Sequence, residues 1–364
     1  MEDRVYYLGF SAFPGIGPLR FKLLVKFFGS AKASWNASYK DLVKINLGEK
    51  LAARFIQFRD DFSLSLYISK LKDKEIKFIT LFDDNYPKLL KQISDAPIVI
   101  YMRGNLPDEV RPRIGVVGTR RITIYGRDVT EKLTAELVGA GFIIVSGMAY
   151  GVDTKAHETA IENDGKTIAV LGCGVDIIHP RSNFNLYWQI VKKHGAVISE
   201  FPPGMMANVG LFPARNRIIS GLSLGVLVTE GAEDSGSLIT ASYGAEQGRE
   251  VFAIPGPINS NLSRGPTKLL KAGAKLVTEV GDILEELKIK PISQIRQISQ
   301  IGNLTKDEEK ILELLQNESL HFDAIIAKAK IDATKLASIL SMMELKNIIK
   351  NSGEGNYNLT EIVK

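Results

Sequence analysis

"VVGTRRITIYG", residues 116–126, decides the fold. It reads as a strand that runs into a glycine turn and then a helix. Such turns hold phosphates, because the first N–H groups of a helix have no intrahelical acceptors. A dinucleotide fingerprint needs two further glycines after the first, to let the backbone approach a pyrophosphate. Here Gly118 is followed by Thr119, Arg120 and Arg121 instead. The turn offers charge where a dinucleotide fold offers close backbone approach.

Similar strands recur on either side of it. "RIGVVG" (113–118), "FIIVSG" (142–147), "TIAVLG" (167–172), "AVISE" (196–200), "GVLVTE" (225–230), "EVFAIPG" (250–256) and "AKLV" (274–277) are short Val/Ile-rich runs separated by helix-length segments. That alternation is what a parallel sheet covered on both faces requires. Residues 85–290 are therefore expected to form an α/β domain with a Rossmann-like, doubly wound parallel sheet. Residues 1–84 read as short helices, with "FPGIGPLRFKLLVKFFGS" (13–30) and "INLGEKLAARFIQF" (45–58) resembling a SAM-like or helix-hairpin-helix arrangement. The Gly15 to Gly17 amides are placed either to face a phosphate or to make a tight interhelical turn. After a polar linker, "KPISQIRQISQIGN" (290–303), three amphipathic helices and a Gly-tipped hairpin spell a winged helix at 303–364, with Thr305 and Asp332 as N-caps.

A chain of 364 residues is long enough for two or three such domains. A single cysteine, Cys173, excludes an intramolecular disulfide, and four histidines form no cluster with zinc-ligand spacing. Neither a metal nor a cofactor is expected. No apolar run approaches the roughly 18–20 residues of a membrane span. The amino terminus "MEDRVYYLGF" carries acids where a signal peptide carries bases, so a cytoplasmic location is expected. The net charge of +5 and pI near 9.0 lean mildly toward polyanions. The winged-helix segment has no positive excess, which favours an auxiliary or protein-contact role there over reading of duplex DNA.

Ligands of open parallel sheets sit outside the carboxyl ends of the strands. An enzyme should offer there a nucleophile with its base, paired carboxylates or a metal set. None is evident. Asp153 reads as an N-cap, His157 as a packing residue, Glu230 as a carboxylate without an activating partner, and Ser235 and Ser237 as helix-capping hydroxyls. The loops supply basic and small residues instead. Arg120 follows one strand, Arg181 and Phe184 another, and Arg215 and Arg217 sit in "FPARNRIIS". Arginines and exposed amides bind phosphates, and an aromatic beside them stacks on an unpaired base for roughly 1–3 kcal/mol. A lone surface arginine is ordinarily solvated, and an aromatic opening an apolar helix face is ordinarily core. Together they suit single-stranded nucleic acid.

"NYPKLLKQISDAPIVIYMRG", "VVGTRRITIYG", "IVSGMAYGVDTKAH", "GKTIAVLGCGVDIIHPRSN", "ISEFPPG", "FPARNRIISGLS", "SGSLITA" and "GREVFAIPG" follow in an order and spacing that resemble the DprA/Smf family. The resemblance covers about residues 85–280. It implies a non-enzymatic, homodimeric protein that binds and protects single-stranded DNA and loads the RecA recombinase during natural transformation. It assigns DNA contact to Arg120, Arg181 and Phe184, and the candidate binding set is completed by Gly118, Thr119, Ser146, Gly147, Asn183, Arg215 and Arg217. The stretch from Leu269 to Leu276 is the implied dimer face, with the RecA contact adjoining. The sequence departs from the family pattern at His179, where a tyrosine is usual, and at Val209, where some members carry lysine. A phosphoribohydrolase-type nucleotide enzyme is the alternative, against which "PGPINSN" (255–261) lacks the "PGGxGT" loop. An adaptor acting through the helical ends alone would need neither Arg120 nor Arg181.

Overall fold

The computed structural model describes residues 3–289, 305–315, 319–346, 348–353 and 355–360. The linker expected at 290–303 lies outside them. The chain divides into two compact units, Met1–Leu287 and Lys288–Lys364.

The first unit opens with six helices: α1 (Arg4–Ala12), α2 (Pro18–Phe28), α3 (Ala31–Trp35), α4 (Tyr39–Lys44), α5 (Glu49–Asp61) and α6 (Leu64–Asp73). Serine hydroxyls cap three of them, Ser30, Ser38 and Ser63 each accepting a backbone N–H of the first turn. Ile16 is buried between exposed Gly15 and Gly17, so the glycine-rich stretch is a tight interhelical turn with an apolar plug. Phe10, Phe21, Leu24 and Phe55 form a core that continues into Val99, Tyr101 and Val175 of the next layer. A chain of hydroxyls from Tyr67 to Tyr101 to Ser11, 3.1 Å at each step, fastens the helices to the sheet.

That sheet contains β1 (Lys77–Thr80), β2 (Val99–Gly104), β3 (Arg113–Val117), β4 (Ile143–Ser146), β5 (Thr167–Val170), β6 (Gly195–Ser199), β7 (Gly225–Val228), β8 (Glu250–Ala253) and β9 (Lys275–Leu276). Their spatial order is β1-β2-β6-β5-β4-β3-β7-β8-β9. All seven strands expected from the sequence are present and parallel, from β6 across to β9. The sheet is larger than expected, because β1 and β2 extend it antiparallel beyond β6, and β1 precedes residue 85. Every residue of β3, β4, β5 and β7 is buried, the mark of strands covered on both faces.

The intervening helices are α7 (Lys88–Lys91), α8 (Ile124–Gly139), α9 (Val152–Glu162), α10 (Phe184–Gln189), α11 (Leu211–Gly221), α12 (Gly236–Glu246), α13 (Arg264–Lys271) and α14 (Val280–Leu287). From β3 the chain winds to one side through β4, β5 and β6, then crosses back to continue through β7, β8 and β9 on the other. The topological switch point therefore falls between β3 and β7. In the stretch proposed as a dimer face, Leu269 packs partly against the core while Leu276 is half exposed on the edge strand β9.

The second unit holds α15 (Lys306–Leu315), β10 (Leu320–His321), α16 (Phe322–Ala329), α17 (Ala333–Leu345), β11 (Ile349–Asn351) and β12 (Asn356–Leu359). Its three strands pair in the order β10-β12-β11, a winged helix. Thr305 makes a reciprocal capping box with Glu308, and Asp332 accepts the N–H groups of Thr334 and Lys335. Both N-caps stand where the sequence places them. No helix among the described residues is long and apolar enough to cross a membrane.

Candidate nucleic-acid interface

The turn after β3 is locked from below. Gly118 has no room for a side chain, since a Cβ would lie 2.5 Å from Val152 Cγ2 and 2.7 Å from the Glu230 carbonyl oxygen. The Thr119 N–H donates to that same carbonyl at 2.6 Å, and the Thr119 carbonyl accepts from Val152 N at 3.1 Å. Thr123 caps α8 by accepting the Gly126 N–H, while its own N–H and hydroxyl donate to the two carboxylate oxygens of buried Glu230, at 2.9 and 2.7 Å. Glu230 is thus a brace for the turn. With the backbone held on both sides, the Arg120 side chain is directed outward.

Arg120 is exposed and makes no ion pair among the described residues. Its guanidinium lies over the Phe212 ring, 5.3 Å from the centroid, and His179 stacks on the same ring at 5.8 Å and 27°. Three clefts meet at this arginine. One, of about 490 Å³, lies at the switch point between the turn after β3 and the start of α12. A second passes His179, Tyr150 and Phe212. The third is lined by Arg121, Arg127, Lys155 and Asn183. Val209, at the mouth of the first cleft, is 82% exposed. Arg181 is exposed on a 3-10 turn, Arg181–Asn183, and makes no ion pair among the described residues. Phe184, which opens α10, is 54% exposed with its edge toward Trp188. It is therefore surface, not core.

Other residues of the sequence-derived set have a different place. Ser146 is fully buried and donates its hydroxyl to the Val116 carbonyl. Gly147 is buried, its N–H donating to Asp153 and its carbonyl accepting from Arg215. Asn183 is buried and ties its turn to the Met148 carbonyl and the Thr154 hydroxyl, at 3.1 and 2.7 Å. Arg217 is buried between Asp95 and Glu200, at 2.9 and 2.5 Å. Arg215, 4% exposed, lies beneath the first two clefts and donates Nη1 to the carbonyls of Gly147 and Val170. Direct phosphate contact on an open surface is a poor description of these five. Ser146, Gly147, Asn183 and Arg215 secure the strand ends and loops around Arg120, whereas Arg217 lines none of the three clefts and ties α11 to Asp95 and Glu200.

The residues read as non-catalytic are also placed. Asp153 lies inside α9, whose N-cap is Gly151, and accepts the N–H groups of Gly147 and Ala149. It secures the loop and does not cap the helix. His157 is buried, with Nδ1 2.6 Å from the Thr167 hydroxyl. That hydroxyl donates to the Ile144 carbonyl, so Nδ1 carries the proton and donates to Thr167. Burial, with help from the nearby Arg215 charge, holds the imidazole pKa down to about 3. Ser235 caps α12 and bonds the Ser237 hydroxyl at 2.8 Å, as the sequence implies. The stacked pair of Phe212 and His179 was not anticipated. The signal was the phenylalanine of "FPARN", but its nearness to residue 179 is a tertiary fact.

Fold and site together define a Rossmann-like protein whose strand-end clefts are rimmed by exposed arginines, without an ion pair among the described residues, and by aromatic rings. Comparison narrows the class. Residues 77–288 match the family model for DNA recombination-mediator protein A, and residues 299–355 match the DprA winged helix domain. The chain belongs to the DprA/Smf family of DNA recombination-mediator proteins. It is 37% identical over 296 residues to Protein Smf of Synechocystis, an alignment covering 80% of this chain and 74% of the relative. The structure of DNA processing protein A from Streptococcus pneumoniae superposes with a TM-score of 0.69 at 37% identity, covering 79% of this chain and 98% of that one. DNA processing protein A from Helicobacter pylori, whose structure is described in terms of its single-stranded DNA binding mode, gives a TM-score of 0.52 at 29% identity, covering 58% of this chain and 95% of that one.

Proposed function

We propose that this protein binds single-stranded DNA along the cleft rim, through Arg120 and Arg181 with the Gly118–Thr119 turn as support and Phe184 stacking on a base. The observation that carries the reading is the setting of Arg120: exposed, unpaired among the described residues, and at the meeting point of three clefts. Single-strand binding is what the Helicobacter pylori relative is described as doing. The protein acts in the cytoplasm as a homodimer, through the edge near Leu269 and Leu276, and hands the strand to RecA during transformation. It acts without catalysing a reaction. The carboxylates and the imidazole at the strand ends support this, since Glu230, Asp153 and His157 are each engaged in holding the backbone or the core.

Removing a charge-assisted contact costs about 1.5–3 kcal/mol. Arg120→Glu and Arg181→Glu are therefore each expected to weaken binding of a labelled oligonucleotide about 10- to 100-fold, with an unchanged circular dichroism spectrum. The salt dependence of wild-type binding should be steep, with log-log slope near −0.7 per neutralised phosphate, and shallower in each variant. Wild-type affinity in both variants would show that the strand lies elsewhere.

A further inference from the structure

We propose that the amino-terminal helices hold the loop that carries Arg181 and Phe184 in its binding position, with Lys74 and Arg103 as the positioning residues. The proposal rests on the reading that these two side chains meet the strand. Both lie on the segment 175–188, which is gripped at each end from the helical side of the sheet. At the entry, Val175 is fully buried in the core of the six helices. Beside it, one oxygen of Asp176 accepts from Lys74 Nζ at 2.8 Å and the other from the Gly204 N–H at 2.7 Å. The Asp176 side chain is 11% exposed, so its charge depends on these partners. At the exit, the guanidinium of Arg103, in β2, lies over the Trp188 ring of α10, 5.5 Å from the centroid, and donates Nη2 to the Lys74 carbonyl at 3.1 Å. Tyr187 closes the span by donating its hydroxyl to the Val175 carbonyl. Lys74, which follows the last turn of α6, thus serves both ends: its side chain holds the entry and its carbonyl the exit.

Between these anchors, Arg181 makes no ion pair among the described residues, and Phe184 meets only the edge of Trp188, at 6.4 Å. Asn183 pins the middle of the segment to the Met148 carbonyl and the Thr154 hydroxyl. With the ends released, the segment turns about that pin and carries Arg181 and Phe184 out of line. A charge-assisted hydrogen bond and a stacked ring both weaken with such a displacement, because each depends on distance and angle. Arg120 is outside this device. It stands on a separate turn, which Glu230 braces from β7. Loosening the helical grip therefore weakens one half of the strand contact and spares the other.

The test combines Lys74→Met with Arg103→Met in the full-length protein, at two side chains that solvent already reaches. Affinity for a labelled oligothymidylate is expected to fall about three- to tenfold in the wild-type and Arg120→Ala backgrounds, and less than about twofold where Arg181 and Phe184 are already alanine. Lys74→Arg, which keeps a cation beside Asp176, should retain wild-type affinity. Amide hydrogen exchange should quicken over residues 175–188 and at Gly204, and stay as it is over residues 118–126. An equal loss of affinity in every background would be general destabilisation and overturns the proposal. So does wild-type affinity of the Lys74→Met/Arg103→Met protein when Arg181→Ala/Phe184→Ala binds weakly. If Arg181→Ala/Phe184→Ala binds like wild type, the strand reading fails at this loop and hydrogen exchange decides the rest: a loosened segment upholds the positioning role, and unchanged exchange removes it.

Discussion

The rim of the strand-end clefts and the layer just beneath it are built from the same residue type with opposite consequences. Arg120 and Arg181 are exposed and unpaired among the described residues. Arg215 and Arg217, from the neighbouring α11, are 4% and 6% exposed and committed to the fold. Arg217 meets Glu200 just beyond β6 and Asp95 from a distant part of the chain, and Arg215 reaches the carbonyls of Gly147 and Val170 across two strand ends. An arginine near a strand end is thus left free at the surface or made a bolt of the fold according to whether an acceptor awaits it inside. The rim arginines hold potential for a polyanion, whereas Arg215 fixes the strand ends beside them and Arg217 fixes α11 to Asp95 and Glu200.

The sharpest separation of the two should come from stability. Arg217→Ala leaves two carboxylates facing each other with no cation between them, and breaking a buried pair in this way costs about 3–5 kcal/mol. Arg120→Ala removes only an exposed side chain and its contact with Phe212, and should stay within about 0.5–1 kcal/mol of wild type. Urea unfolding of the first unit measures both. Similar losses for the two variants would erase the distinction between free and buried arginines.

A second test uses pH. His157 is buried with its pKa held down to about 3, against an ordinary value near 6.5 in the unfolded chain. Above pH 6.5 both states are neutral and the residue contributes no pH dependence. As pH falls below 6.5 the unfolded state takes a proton that the folded state refuses, so stability is lost progressively until pH reaches about 3. At pH 5 the loss from this one residue is about 2 kcal/mol. Between pH 7.5 and 5, His157→Gln should lose less stability than wild type by about that amount. Parallel pH profiles for the two proteins would mean that the imidazole is not held neutral by burial.

The parallel strands were legible in the sequence because burial on both faces writes itself as unbroken Val/Ile runs ended by glycine. β1 and β2 were not, since "KFIT" and "VIYMRG" lie outside the strand-helix alternation and pair antiparallel. At the site, the GTRR turn was legible because Gly118 and the following cations are local. What local sequence does not carry is depth. Ser146, Asn183, Arg215 and Arg217 all looked like loop residues free to meet a ligand, yet each finds its hydrogen-bond or ionic partner in another element of the fold: Ser146 in β3, Asn183 in α9, Arg215 in the loop after β4 and Arg217 in the loop before β2. The same limitation hid Phe212 and His179, whose rings meet only once the loop after β5 and the first turn of α11 converge.

The winged helix extends the contrast between free and committed cations to a second region. Its α17 is the helix that would enter a DNA groove if this unit read duplex sequence. Lys335 is paired with Asp307 at 2.6 Å and Lys346 with Glu308 at 2.7 Å, so both charges are largely neutralised within the unit itself. On the same helix Met342 and Leu345 are 51% and 82% exposed, a surface better matched to a protein than to phosphate. Lys335→Glu should therefore change affinity for single-stranded or duplex oligonucleotides by less than about twofold, in line with the small worth of exposed charge pairs. Its main effect should be a stability change below about 1 kcal/mol, from repulsion with Asp307. Fluorescence anisotropy on the full-length protein reads the affinity. A tenfold loss would place this helix in the DNA interface and make the committed state of its lysines a resting arrangement that DNA displaces.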